Sequence, residues 1–146
     1  MIKSVVNLQM LLLVMLIFSC KLHESDVLVN KETLGLHDIW ALETVSKETI
    51  ILNNYNEHPY LELNLNTNKI IGNDGCNTFS GVIEKADTKL LSFKSLISTE
   101  VVCTNMNFSK EIGENLKLIH SYQIENLKLS LYNKNGLELL KYRKVD

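Results

Sequence analysis

The chain predicts an α+β fold: a compact, curved, mostly antiparallel β-sheet or barrel-like domain with one amphipathic helix. Three observations lead there. Several stretches alternate apolar and polar residues with period two, most clearly Tyr60–Asn66 and Tyr122–Tyr132. One stretch, Ser109–His120, changes to a helical period. Glycine- and asparagine-bearing turns separate the strands, and Pro59 is the one proline of 146 residues. Many short strands plus one helix describe a sheet curved around a core, with the helix over its open side.

The elements follow in chain order. Residues 1–19 carry one charge, Lys3, then the apolar run Met10–Phe18 and the small residue Ser19, the parts of a secretory leader. That run holds nine residues, where a bilayer-spanning helix needs about twenty. Leu16-Ile-Phe-Ser-Cys20 resembles a lipobox, the cleavage and lipidation site of bacterial lipoproteins, although Phe18 is bulkier than that pattern favours. The chain is therefore expected to be cut before Cys20 and held to a membrane by lipid such as palmitate on that cysteine, two or more acyl chains making a stable anchor. Residues 20–34 read as a polar tether, with Val27-Leu-Val29 as an alternative edge strand, and residues 35–146 as the domain.

Within the domain, residues 38–43 form a strand candidate with Trp40 and Leu42 facing the same way. Thr49–Leu52 is a weaker one. Tyr60–Asn66 puts Leu61, Leu63 and Leu65 on one face and Glu62, Asn64 and Asn66 on the other. Lys69–Ile71, Gly81–Glu84 and Leu90–Phe93 are shorter candidates. In Ser109–His120, Ile112, Leu116 and Ile119 fall on one helical stripe; Ser109 suits the N-cap, and Glu111 the first turn, where the dipole favours it. Tyr122–Tyr132 alternates with Leu127, Leu129 and Leu131 on one face. Asn133-Lys-Asn-Gly136 supplies turn residues, and Leu137–Tyr142 returns, a strong hairpin signal.

The most distinctive stretch is Ile71-Gly-Asn-Asp-Gly-Cys-Asn-Thr-Phe-Ser-Gly81. Its three glycines and two asparagines indicate a tight, shaped loop with positive φ. Thr99-Glu-Val-Val-Cys103 stands downstream and Trp40-Ala-Leu42 upstream. In this order the pieces resemble the META domain, or HslJ-like, family, over about residues 36–143. Its members carry an early Trp-x-Leu, a Gly-x-x-Gly-Cys-Asn followed by an aromatic and a glycine, a Thr-x-x-x-Cys, a helix and a final hairpin. The matching residues are Trp40, Leu42, Gly72, Gly75, Cys76, Asn77, Phe79, Gly81, Thr99 and Cys103. Glu100-Val-Val102 departs from the pattern, where Met or Ala more often precedes the second cysteine. The resemblance implies a compact, mostly antiparallel β domain with a helix. Many relatives are envelope lipoproteins, some linked to heat shock, drug tolerance or secretion. It implies no common catalytic activity.

With Cys20 assigned to lipid, Cys76 and Cys103 remain as an even pair in an oxidising compartment. Bridged, they would close a 28-residue loop and add about 3–4 kcal/mol in the chain-entropy model; otherwise they are two buried thiols acting as small hydrophobes. None of His23, His37, His58 and His120 stands in a catalytic context with a cysteine. There is no CxxC, HxxxH or calcium-loop spacing, so no metal and no cofactor is expected. Asp74 and Asn77 read as turn residues bonding their own backbone, and Trp40 as a core residue rather than part of a partner surface. The net charge is −2, and more negative without a leader whose one charge is Lys3, so nucleic acid is not an expected partner. The expectation is a non-enzymatic, lipid-anchored envelope protein acting through an unidentified protein or ligand in binding, maintenance or stress tolerance. The alternatives are a small thiol-dependent or hydrolytic enzyme, and a structural partner of a secretion or outer-membrane complex.

Overall fold

The structure, a computed structural model, describes residues 35–51, 57–103 and 107–145. The leader, Cys20, the tether with Val27–Val29, and Leu52 lie outside them. Among the described residues, nine strands form one antiparallel sheet: β1 (Ile39–Val45), β2 (Glu48–Thr49), β3 (Tyr60–Asn64), β4 (Lys69–Asn73), β5 (Thr78–Ala86), β6 (Leu91–Ser98), β7 (Ile119–Glu125), β8 (Lys128–Asn133) and β9 (Glu138–Lys144). One helix, α1 (Asn107–Leu118), joins β6 to β7. The strand order is β6-β5-β4-β3-β1-β9-β8-β7, with β2 on β1. The described residues thus form a curved half-barrel, mostly β, with α1 against it, to which the α+β label applies only loosely.

The two edges nearly meet. A single bridge joins Leu90 to Ser121. Beside it the Tyr122 N–H donates to the Lys89 carbonyl at 3.0 Å, and the Tyr122 hydroxyl to the Asp87 carbonyl at 2.7 Å. α1 lies against β6, β1 and β9 with Ile112 and Leu116 buried. Alternation sorts the faces as the sequence predicts: Trp40, Leu42, Leu61, Leu63, Leu129 and Leu131 are all buried.

Three local expectations are corrected. Tyr122–Tyr132 is not one alternating run but two strands, because Asn126 and Leu127 both take positive φ (51° and 61°), as a two-residue hairpin turn requires. Leu127 is accordingly exposed at that turn. The helix begins at Asn107, so Ser109 lies inside its first turn and is buried rather than capping it. No acidic residue occupies that turn; Glu111 instead accepts a hydrogen bond from the Ser46 hydroxyl, tying α1 to the β1–β2 turn. Ile119 continues the buried stripe but opens β7, since the chain leaves the helix at Leu118 and pairs Ile119 with Asn133.

Candidate functional site

The distinctive sequence motif gathers at one end of the sheet, where β4 turns into β5. Only four residues, Asp74–Asn77, form the tight turn. The Asp74 carboxylate accepts the N–H groups of Cys76 (2.9 Å) and Asn77 (2.7 Å), and the Asn73 side chain that of Gly75 (2.6 Å). Gly75 has φ 92°, the one motif glycine in the left-handed region.

Gly72 and Gly81 do something else, which corrects the reading of all three as turn residues. Both lie in strands with their α-carbons facing the interior. Gly72 falls in the row Trp40–Leu61–Gly72–Phe79. A β-carbon there would stand 2.4 Å from both the Phe79 ring and the Tyr60 carbonyl. Gly72 therefore vacates the volume that the Phe79 ring fills. At Gly81 a β-carbon would come within 2.8 Å of Leu96. Trp40, at the other end of the row, is buried and donates its indole N–H to the Leu36 carbonyl at 3.2 Å.

Asn77 carries the link that sequence reasoning missed. Rather than bonding its own turn, its buried side-chain oxygen accepts from the Thr99 hydroxyl (3.0 Å) and the Val101 N–H (2.7 Å), while its amide nitrogen donates to the Val101 carbonyl (3.4 Å). Cys76 and Cys103 are joined by a disulfide with Cα atoms 6.0 Å apart. Turn and downstream segment are thus tied twice, once covalently and once through an amide. The Asx-type spacing hid this, because a buried Asn bonding 24 residues onward looks the same in sequence as one closing a turn.

The segment so held, Thr99–Cys103, presents its apolar side chains outward. Val102 is 87% exposed and Val101 54%. The Glu100–Val102 departure from the family pattern therefore falls on exposed residues. Beside this segment, the outer-face row Ile71–Ser80–Ile97 places two exposed isoleucines on β4 and β6. They line a shallow hollow of about 310 Å³ with Thr78 and Thr99. Among the described residues, this joins the apolar exposure of four aliphatic side chains at one end of the fold.

Both sulfurs of the motif are committed to the bridge. The His37 ring accepts from the Leu65 N–H at 3.2 Å, just past the end of β3, and His120 is exposed on β7. His58 is partly buried, and burial, helped by the nearby Arg143 charge, lowers its pKa below the ordinary histidine value. Among the described residues, no group of three or more His, Cys, Asp or Glu is placed to hold a metal ion, and no helix is long and apolar enough to cross a membrane.

Comparison with known proteins agrees with this architecture. Three solved structures share the fold. One, an NMR structure, aligns with a TM-score of 0.58 at 23% identity, over 74% of this chain and 89% of that one. An NMR structure of a protein from Burkholderia xenovorans aligns with a TM-score of 0.59 at 20% identity, over 86% and 98%. A crystal structure of a DUF4847 family protein from Bacteroides vulgatus aligns with a TM-score of 0.50 at 13% identity, over 80% and 100%. No curated protein matches the chain. The META domain family model matches residues 32–146, which include every strand, the helix and both bridged cysteines. The chain belongs to the META domain family.

Proposed function

We propose that this META-domain protein is a bacterial envelope lipoprotein, anchored through Cys20, that works by binding rather than catalysis in envelope maintenance or stress tolerance. The observation that carries the reading is the cysteine arithmetic. Of three cysteines, two are joined to each other. Such a bridge persists in an oxidising compartment. The third, Cys20, follows the leader at the position a lipobox requires.

Gly35, where the described domain begins, lines a groove beside Thr88 and Lys89 at the β5–β6 turn. The Thr99–Cys103 segment leaves the opposite end of β6, a strand of eight residues and so about 26 Å long. A lipid on Cys20, through residues 20–34, would join the domain at the first end, and Val101 and Val102 lie at the other. That exposed apolar tip favours a second reading within the same proposal, docking to a protein of an envelope complex.

Labelling cells with a palmitate analogue tests the anchor: the protein takes up label, and Cys20→Ser abolishes it. Label that survives the substitution, or no label on the wild type, sinks the proposal. A thiol titration of the delipidated native protein separates it from a thiol-dependent enzyme, for which one fast-reacting cysteine is required. Docking is read by photocrosslinking in cells from position 102, with position 134 on the β8–β9 turn as control. Equal crosslinking from both positions removes the docking tip.

A further inference from the structure

The sheet ends on two strands, β6 and β7, which meet over a short stretch. The Leu90–Ser121 bridge and the Tyr122 N–H bond to Lys89 join β7 to the start of β6. Farther along, β6 has β5 on one side and, among the described residues, no strand on the other. Two bonds fix the direction of its backbone groups. The Thr99 N–H donates to the Thr78 carbonyl at 3.0 Å and the Val101 N–H to the Asn77 side chain at 2.7 Å, so both face β5 and its turn. Ile97 pairs with Ser80 on that same side. Amides alternate sides along an extended strand. The Leu96 carbonyl, both backbone groups of Ser98 and the Glu100 carbonyl therefore face away from β5. Asn77 thus prolongs the β5 ladder beyond the end of β6, and with it the free edge. Ser95, Ile97, Ser98, Thr99 and Glu100 are all exposed, so neither α1 nor β7 covers this stretch.

Edge strands commonly carry devices that prevent pairing, such as a lysine, a bulge or a proline. On β6 they stand at one end: Lys94, and the bulge at Ser95, which takes φ 53°. From Leu96 to Glu100 the edge has none of them, and Ile97 is 69% exposed on the outer face. That stretch complements itself. Laid antiparallel to its own copy about a two-fold axis at Ile97, it sets Lys94 of each chain at the same end as Glu100 of the other. Lys94 is free to turn there, since its contact with Glu84 spans 3.8 Å between exposed groups and holds it weakly. The two Ile97 side chains face each other as a β-branched cross-strand pair. They also join the Ile71–Ser80–Ile97 rows of the two copies into one. Each Ser98 N–H meets the Leu96 carbonyl of the second copy.

We infer that β6 pairs edge to edge with β6 of a second copy of this chain, antiparallel about Ile97, so that the two sheets become one. A contact of this kind uses the same patch on both chains and closes at two copies. The paired stretch, Leu96–Glu100, is about 17 Å long. It buries less than a standard interface, which takes about 800 Å² from each partner, so the pair is reversible and concentration-dependent. The inference goes beyond the docking reading above and does not rest on the anchor, because it uses the backbone edge of β6 and its test needs no acyl group.

Facing residues of a non-hydrogen-bonded antiparallel pair have Cα atoms about 4.5 Å apart, within the span of a disulfide. The full-length chain carrying Ile97→Cys, in an excess of detergent micelles, is oxidised with diamide and resolved on a non-reducing gel. Its covalent dimer forms roughly tenfold faster than that of Lys134→Cys on the β8–β9 turn, which reports random collision and any contribution of Cys20. Adding Ser98→Pro removes an outward N–H, leaves the β5 ladder intact, and slows the Ile97→Cys dimer roughly tenfold. Lys94→Glu slows it several-fold, and Glu100→Lys added to Lys94→Glu restores the rate. This charge exchange keeps the test valid should Ser98→Pro disturb the fold. Equal rates from positions 97 and 134, or a rate that neither Ser98→Pro nor Lys94→Glu alters, overturn the pairing. In cells, an Ile97→Cys product that holds another protein and no second copy overturns the assigned occupant.

Discussion

Replacing Asn77 by Ala isolates the polar half of the link between the motif turn and the Thr99–Cys103 segment, because it leaves the disulfide in place. Three hydrogen bonds go with the side chain: Thr99 hydroxyl at 3.0 Å, Val101 N–H at 2.7 Å and Val101 carbonyl at 3.4 Å. The last is long and counts for little. The other two contribute about 0.5–1.5 kcal/mol each. Asn77 is buried, so its loss also leaves a small void, while Val101 is exposed enough for water to reach its N–H. The expected cost is about 2–3 kcal/mol, or roughly a 10 °C fall in Tm for a domain of this size. Thr99→Ala removes one of the same bonds and costs about 1 kcal/mol. Since that bond is already absent in Asn77→Ala, the double variant should fall short of additivity by about 1 kcal/mol. Urea denaturation of all four proteins, with the disulfide intact, reads these values. An Asn77→Ala protein within 0.5 kcal/mol of wild type, or strict additivity, would refute the reasoning.

Three further outcomes follow from other parts of the fold. Ser at both Cys76 and Cys103 should lower stability by about 3–4 kcal/mol in the chain-entropy model, with either single substitution costing at least as much; a denaturation midpoint unmoved by the double change contradicts the bridge. Gly72→Ala, whose methyl would meet Phe79 and the Tyr60 carbonyl at 2.4 Å, should destabilise by about 2 kcal/mol or more. Gly113→Ala meets nothing within 4 Å on α1 and should instead stabilise by up to about 1 kcal/mol, and thermal melts of the two should move in opposite directions. His58 is held neutral by burial, so its folded pKa lies below the unfolded value of about 6.5. The unfolded state then binds more protons in this range, and the His58 contribution is complete above about pH 6.5 and lost as pH falls through the folded pKa. His58→Gln should therefore flatten the decline in stability between about pH 7 and pH 5, and an unchanged slope in pH-dependent denaturation discards this assignment.

Much of the fold was legible before any coordinates, and the parts that were not share a cause. Alternation placed Trp40, Leu42, Leu61, Leu63, Leu129 and Leu131 on the inner face, because a strand's period puts every second side chain in one environment whatever its neighbours are. A two-residue hairpin shows in the pattern only as a shift of phase, here from Tyr122 and Ile124 to Leu127, Leu129 and Leu131. Asn126-Leu127 turns the chain at that shift, and Leu127 reads as part of the second run because it is apolar, yet it sits at positive φ. The end of α1 was misplaced for a related reason, since Ile119 fits the helical stripe and the buried face of β7 equally well.

For the candidate site the division is sharper. Sequence by itself determined that this chain carries an apolar run, Met10–Phe18, with Ser19-Cys20 behind it and a Gly-Cys-Asn motif with a second cysteine downstream. Local composition and spacing are enough for both. Tertiary structure alone decided that Gly72 clears space for Phe79, that Asn77 bonds Thr99 and Val101, and that Cys76 meets Cys103. It also decided that the segment held by those contacts turns Val101 and Val102 to solvent. Each of these is a through-space relation between strands distant in sequence. Which side chains share a row depends on strand register, and which face is left uncovered depends on how far the sheet curves before its edges meet at Leu90 and Ser121.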